Sequence, residues 1–255
     1  MEENQLTPNN KPDYHAVDDI TPTRKTVTIS VEEAAEVQSR FFAQVYGWMT
    51  AGLGLTGGVA MLATSSPALM EFVFGTRFVF LGLIIVELLL VGFLSARVFD
   101  WSVGKVQASF VGYAVLNGVT LSCVFLAYTS ASIASTFFVT AGTFGVMSLY
   151  GYFTKQDLSS WGKLLSMALI GLALAMVVNW FWQNSALYFI SSFVGVLLFV
   201  ALTAYDTQKL KQLALLGITE GEEMSNKASI MGALILYLDF VNLFLFLLRI
   251  FGRRR

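Results

Sequence analysis

Three acidic side chains lie within otherwise apolar stretches of the chain, where an unpaired charge is costly. Glu87 and Asp239 fall near the middle of such stretches, and Asp206 falls towards the end of another. On insertion scales, a charge at the centre of a bilayer costs about 2.5–3.5 kcal/mol, so acids kept at that depth indicate an ion pathway, a proton relay or a binding site. Two aspartates that share a proton titrate as a pair, and Asp206 and Asp239 together therefore predict a pH sensor.

A depth estimate bears on whether these two aspartates can meet. We take the helix that carries Asp206 to end near residue 213, and the last helix to begin near residue 225, with their ends level. At about 1.5 Å per residue, the depths of Asp206 and Asp239 then differ by roughly 10 Å. The spacing permits an aspartate pair, but helix tilt or an unwound start would have to close the gap.

Each acid also has a purely structural interpretation. Asp206 is followed closely by Lys209, as expected of a solvated residue at a helix end. Glu87 and Asp239 are also explained if each is neutral and forms a hydrogen bond with a neighbouring helix. The sequence leaves both interpretations open for all three residues.

Two further polar residues accompany the acids. Arg97 follows an apolar stretch, where it would anchor the cytoplasmic end of a membrane helix or pair with an aspartate. Asn242 lies three residues after Asp239 and is typical of residues that form hydrogen bonds between membrane helices.

The overall composition indicates that membrane helices must position these side chains. Of the 255 residues, 56% are hydrophobic and 13% are charged, whereas soluble proteins contain about 25% charged residues. Residues 41–255 hold only 21 of the charged side chains. This part of the chain has too little polar surface for a soluble fold, so the composition excludes a soluble enzyme domain and a disordered chain.

Long charge-free runs locate the spans and predict an all-α bundle of seven transmembrane segments. The runs 106–154 and 164–205 are each long enough for two spans, because about 20 residues cross the hydrocarbon. They are continuously apolar, unlike the short alternating strands of a β-barrel. The predicted segments are roughly 45–64, 78–97, 106–127, 132–153, 164–182, 186–206 and 228–249.

The polar N-terminal residues form a separate region. Residues 1–30 are predicted to be a disordered tail, and residues 31–255 a membrane domain. Ser30 followed by Glu33 matches a capping box, which predicts a helix that begins near Val31 and continues into the first span.

The distribution of Lys and Arg predicts that the N-terminus is cytoplasmic. This orientation places eleven basic residues inside, and among the outer loops only Arg77 is basic. Arg249 and the three C-terminal arginines conflict with it if the last segment crosses fully. That segment is therefore either re-entrant or a span that breaks the rule.

Several classes of site are excluded. The net charge is −1, which argues against a nucleic-acid partner. The single histidine, His15, lies in the polar tail, so no histidine-based metal site or Ser-His triad exists in the membrane part. Cys123 can form no internal disulfide and is expected to be a small apolar side chain.

The segments that carry the aspartates resemble the last two helices of the Bax inhibitor family. They are 204–209 (Ala-Tyr-Asp-Thr-Gln-Lys) and 236–244 (Leu-Tyr-Leu-Asp-Phe-Val-Asn-Leu-Phe). The segment 117–122 (Asn-Gly-Val-Thr-Leu-Ser) in the third span is similar to the family as well. The likeness covers about residues 35–252, and the composition resembles the bacterial branch, which implies a bacterial inner membrane.

The resemblance implies a fold and a set of residue roles. It implies a seven-helix bundle with the last helix at its centre. It also implies a pH-sensitive calcium leak in which Asp206 and Asp239 sense pH and hold calcium transiently as the permeant ion, with no cofactor. Arg97 matches an arginine that latches the closed state, and Glu87 matches a buried glutamate; Asn242 belongs to the same matching string.

Three functions remain open from the sequence. The first is the calcium leak. The second is a regulatory membrane protein that transports nothing and binds a membrane-bound protease or another partner through its N-terminal tail and the acidic stretch 212–227. The third, an intramembrane aspartyl enzyme, is disfavoured because glycine-rich surroundings of the aspartates are lacking. We therefore predict that the chain is not an enzyme.

Overall fold

The chain is described here by a computed structural model of residues 31–215 and 220–255. The tail predicted over residues 1–30 lies outside the described residues. The described part is built from α-helices joined by short connections. The helices are α1 (Val31–Thr64), α2 (Pro67–Phe74), α3 (Arg77–Arg97), α4 (Val103–Ala127), α5 (Ser130–Phe153), α6 (Trp161–Trp182), α7 (Ser185–Ala214) and α8 (Glu222–Phe251).

Seven of these helices are long and apolar enough to cross a membrane, all except α2. The predicted all-α bundle of seven transmembrane segments is therefore confirmed. α1 is described from Val31 onward, and Ser30 of the predicted capping box lies outside the described residues. The sequence did not predict α2. Its first helical residue is Pro67, and the side chain of Ser66 accepts a hydrogen bond from the backbone N–H of Leu69.

The last helix lies at the centre of the bundle. α8 packs against α1, α4, α5 and α7. In its most apolar 18-residue window, 67% of the residues are buried, compared with at most 39% in any other span. Many of the apolar residues of α8 are buried, and Leu236, Tyr237 and Leu243 are fully so. The prediction of a central last helix is thereby confirmed.

The two ends of α8 lie at opposite ends of the bundle. Near its start, the Lys227 ammonium donates a hydrogen bond to the Phe99 carbonyl in the α3–α4 connection. Just beyond its end, the Arg253 carbonyl accepts a hydrogen bond from the Thr129 N–H in the α4–α5 connection. Because α4 separates these two connections, α8 crosses the whole bundle as one helix. The re-entrant alternative for this segment is therefore wrong.

The bundle therefore has two ends, which we call the lysine end and the C-terminal end. The lysine end carries the starts of α4, α6 and α8 and the end of α7, and its lysines are Lys105, Lys155, Lys163, Lys209, Lys211 and Lys227. The C-terminal end carries Arg249 and the terminal arginines, together with the connection between α6 and α7.

Two glycine contacts set the register of α7 against α8. A Cβ added at Gly232 would lie 2.9 Å from Leu210, and one added at Gly195 would lie 2.6 Å from the ring of Phe246. Gly232 thus lies beside Leu210, and Gly195 lies beside Phe246. Because the two helices are antiparallel, the numbers of neighbouring residues add up to about 441 all along the pair. The start of α8 therefore extends about one and a half turns beyond the end of α7. The helix ends are not level.

We expect this register to depend on the absence of a side chain at Gly195. In the Gly195→Val variant, the new atoms would overlap the buried Phe246 ring, and overpacking of this kind lowers the free energy of unfolding by about 1–3 kcal/mol. Gly171→Val is the matched control, because no atom lies within 4 Å of a Cβ there. Thermal unfolding in detergent should show a lower midpoint for the first variant alone. Equal midpoints would contradict the register.

Candidate functional site

A cavity of about 360 Å³ lies between α3, α4, α6, α7 and α8. Most of its lining is apolar. Its polar lining comes from five residues on four helices: Glu87, Tyr113, Asp206, Asp239 and Asn242. All of these except Tyr113 were predicted from the sequence as site residues. The three predicted acids therefore line the same cavity.

Asp206 and Asp239 face each other in this cavity. Their carboxyl groups are in hydrogen-bonding contact. Asp206 is half-buried, whereas Asp239 is only 5% exposed. Within the described residues, no N–H or O–H group donates to Oδ2 of Asp239. A proton held between the two carboxyls is the donor that would satisfy this oxygen, since a buried acceptor without a partner is unfavourable.

The offset between α7 and α8 brings the two aspartates together. With level helix ends, their depths would differ by roughly 10 Å. α8 starts further out than α7 ends. The α7 residue at the same depth as Asp239 is therefore close to Thr203, which is about one turn from Asp206. Two aspartate side chains span that distance, so neither an unwound start nor a steep tilt is needed.

Glu87 also lines the cavity, from α3, and has its own hydrogen-bond partners. It is buried, and Oε1 accepts a hydrogen bond of 2.6 Å from the Thr120 hydroxyl. Oε2 accepts a longer bond of 3.5 Å from the Asn117 amide. Both donors lie on α4, so Glu87 joins α3 to α4.

A hydrogen-bond network extends from Glu87 into the centre of the bundle. The carbonyl oxygen of the Asn117 side chain accepts a bond of 3.1 Å from the Tyr237 hydroxyl. That hydroxyl lies 2.7 Å from the Thr56 hydroxyl, which in turn donates to the Ala114 carbonyl. The network thereby connects α3, α4, α8 and α1, and its polar side chains are all buried.

Arg97 does not contact either aspartate. It is exposed in the last turn of α3, with its guanidinium 6.0 Å from the centre of the Phe93 ring. Between described residues, ion pairs form at Arg40–Glu36 and Lys227–Glu223, and neither involves Arg97. The charged side chain that interacts electrostatically with Asp206 is instead Lys209, on the next turn of α7.

Asn242 binds its own helix. Its amide donates a hydrogen bond of 2.8 Å to the Leu238 carbonyl one turn earlier, while its side chain lines the cavity. Among the residues that the structure describes, the expected bond from Asn242 to another helix is not formed. One turn before Asn242, the Leu238 side chain lines the same cavity and supplies part of its apolar wall.

The acids do not form a tight metal site. In residues 31–215 and 220–255, no cluster of three or more His, Cys, Asp or Glu side chains is placed to hold a metal ion. Asp206 and Asp239 offer two carboxylates, whereas calcium takes about 6–8 oxygen ligands. An ion at this pair would therefore keep much of its water and stay only briefly.

Comparison with known proteins decides the family. The family model described as "Inhibitor of apoptosis-promoting Bax1" matches residues 38–255. The chain belongs to the Bax inhibitor family. This assignment confirms the resemblance drawn from the two aspartate segments, both of which lie inside the matched region.

Relatives of this Bax inhibitor family member occur in diverse bacteria. Inner membrane protein YbhL of Escherichia coli K12 is 54% identical over 225 residues, which cover 88% of this chain and 96% of YbhL. An uncharacterized protein of Deinococcus radiodurans is 45% identical over 89% of this chain and 96% of its own length. One of Rickettsia prowazekii is 40% identical over 92% and 97%. Together with the seven spans, these matches establish an integral membrane protein.

The residues that the sequence did not single out are the hydroxyl groups of the network. Thr56, Tyr113, Thr120 and Tyr237 are common residue types in membrane helices, so their presence alone carries no signal. Two signals were nevertheless available, because Thr120 belongs to the 117–122 segment and Tyr237 precedes Asp239 by two residues. Their hydrogen bonds depend on which helices become neighbours.

We expect the Tyr237 hydroxyl to stabilise the bundle measurably. Tyr237→Phe removes the bonds to Asn117 and Thr56 and leaves a buried amide oxygen without that donor. The free energy of unfolding should fall by about 1 kcal/mol. Tyr150→Phe is the matched control, since the Tyr150 hydroxyl makes only an exposed bond to Gln156. If both variants unfold at the midpoint of the parent chain, the network carries no stability.

Proposed function

We propose that the chain is a pH-sensitive calcium leak channel gated by Asp206 and Asp239. The observation that carries the proposal is the contact between these two carboxyls in a cavity that Glu87 also lines. The name of the Escherichia coli relative supports a bacterial inner membrane as the location. The lysine end is proposed to be cytoplasmic, because this places eleven of the sixteen Lys and Arg residues inside.

The proton-dependent step is the joining and parting of the two aspartates. With one proton between them, the carboxyls are held together and Oδ2 of Asp239 gains its donor. With both groups ionised, two like charges lie in contact in a poorly solvated site and repel each other. The other charged or titratable groups around the pair are Glu87, Tyr113 and Lys209. A rise in pH should therefore separate the pair.

Arg97 is proposed to latch the channel after the pair separates. After it ionises and separates from Asp239, Asp206 is an anion that can attract a cation from the lysine end. Arg97 lies at that end and has no ion pair with any described residue. α3 is held loosely, since it packs mainly on α2 and α4 and only 11% of its most apolar window is buried. A movement of α3 would bring Arg97 to Asp206. Low pH thus favours the unlatched, conducting state.

A second cavity lies next to the aspartate cavity. This cavity, of about 970 Å³, lies at the C-terminal end between α3 and α6. It shares the lining residues Ile84 and Leu88 with the aspartate cavity, so the two spaces adjoin at these side chains. The carboxylates are the hard oxygen ligands that calcium prefers, and their small number keeps binding weak enough for passage.

Calcium flux into liposomes tests the proposal. Vesicles containing the purified full chain and a calcium-sensitive dye should fill faster at low pH than at high pH. Asp239→Asn should abolish most of this pH dependence, because an amide cannot share or release the proton. Asp100→Asn is the matched control: it is the same change at an exposed acid outside the cavity, and it should keep the pH profile of the parent chain.

A second pair of variants isolates the latch. Arg97→Gln should raise calcium flux at high pH, where the latch is closed, and should leave flux at low pH unchanged. Lys105→Gln removes a basic residue at the same end and should have no effect. Flux no greater than that of empty liposomes at any pH, from protein that remains monodisperse in detergent, would contradict the leak. An unaltered pH profile in Asp239→Asn would contradict the gate.

A further inference from the structure

The cavity at the C-terminal end is lined by two arginines. Arg249 lies in the last turn of α8, and Arg254 lies in the segment that follows it. The lining of this cavity includes no acidic residue. Neither arginine forms an ion pair within the part of the chain that the structure describes. The cavity is therefore a positively charged space without a counter-charge from its own walls.

The two guanidinium groups converge on one aromatic ring. Those of Arg249 and Arg254 lie 5.6 and 5.9 Å from the centre of the Tyr188 ring. Arg254 also donates a hydrogen bond of 3.2 Å to the Tyr188 hydroxyl. Cation–π contacts hold each group in place, but two like charges at one ring repel. A bound anion would remove this repulsion, and the planar fork of arginine suits phosphate oxygens.

Uncharged polar residues line this cavity around the α6–α7 connection, whereas its walls on α3 and along α6 are mostly apolar. Leu88 on α3 and Val177 on α6 are exposed, and Ile84 is half-buried beside them. Trp180 lines the cavity, and Trp182 is exposed two residues later. Tryptophans are enriched at the level of lipid headgroups, so the arginines lie near that level and the apolar walls lie deeper.

We propose that this cavity binds a phospholipid with an anionic headgroup. The phosphate lies between Arg249 and Arg254, and an acyl chain lies along Ile84 and Leu88 between α3 and α6. Charge complementarity selects an anion, and the apolar walls below the arginines select a lipid over a soluble anion. The ligand comes from the bilayer itself and enters between two helices that do not pack closely together.

This site has a consequence for transport that rests on the proposed leak. An acyl chain along Ile84 and Leu88 occupies the boundary between the two cavities. A bound lipid would therefore restrict the route to Asp206 and Asp239. The binding site itself does not depend on the leak, because its charges and walls are those of the C-terminal end alone.

Lipid binding to the purified full chain tests the site. The chain is exchanged into neutral detergent, and retention of phosphatidylglycerol or phosphatidylcholine is followed by native mass spectrometry. Phosphatidylglycerol should be retained more strongly. Arg249→Gln with Arg254→Gln should weaken its binding about 30-fold, since each arginine near an anionic lipid contributes about a factor of five. Arg253→Gln with Arg255→Gln is the matched control, because these neighbouring arginines do not line the cavity.

Two further arms separate the alternatives. Arg249→Lys with Arg254→Lys keeps the charges and should retain most of the binding, which separates a charge effect from misfolding. Glycerol phosphate should not compete with phosphatidylglycerol. Equal weakening by both glutamine double variants, equal retention of the two lipids, or full competition by glycerol phosphate would each overturn the proposal. Failure of calcium flux with intact lipid binding would contradict the leak and leave this site standing.

Discussion

An acidic side chain buried in the central helix of a membrane bundle has no water to form hydrogen bonds with, so neighbouring side chains must provide its hydrogen-bond partners. Asp239 is that side chain, and its partner is Asp206 on the adjacent helix. The contact requires α8 to start further out than α7 ends, and this offset depends on close packing at Gly195 and Gly232. Helix packing brings this pair of carboxyls together, and the proposed gate follows from the pair.

The central helix is held differently on two of its faces. Tyr237 and Asp239 are two residues apart, which places them about 200° apart around α8. On one face, Tyr237 belongs to a fully buried network with Asn117 and Thr56. On the other face, Asp239 contacts the carboxyl group of Asp206, whose charge depends on pH. The first face keeps α8 fixed to α1 and α4, so we expect a change at the second face to move α7 and, across the cavity, α3.

The sequence predicted the spans and the acids more fully than their relative positions. Long apolar runs located seven helices, because each must cover the hydrocarbon, and Asp206 and Asp239 stood out because charge is scarce there. Their depth difference was wrong, because level helix ends were assumed and glycine packing sets the offset instead. The path of the C-terminal arginines stayed open because charge counts alone do not say whether a helix crosses. The network around Tyr237 depends on tertiary contacts that local sequence does not encode.

The proposed sharing of a proton by Asp206 and Asp239 can be tested directly. Infrared difference spectroscopy of the full chain in lipid nanodiscs follows the carboxyl C=O stretch as pH is changed, and calcium flux is measured over the same range. We expect the pH at which the pair releases its proton to coincide with the pH at which flux falls, and Asp206→Asn to shift both together. A shift of the infrared titration that leaves the flux profile where it was would contradict gating by this pair.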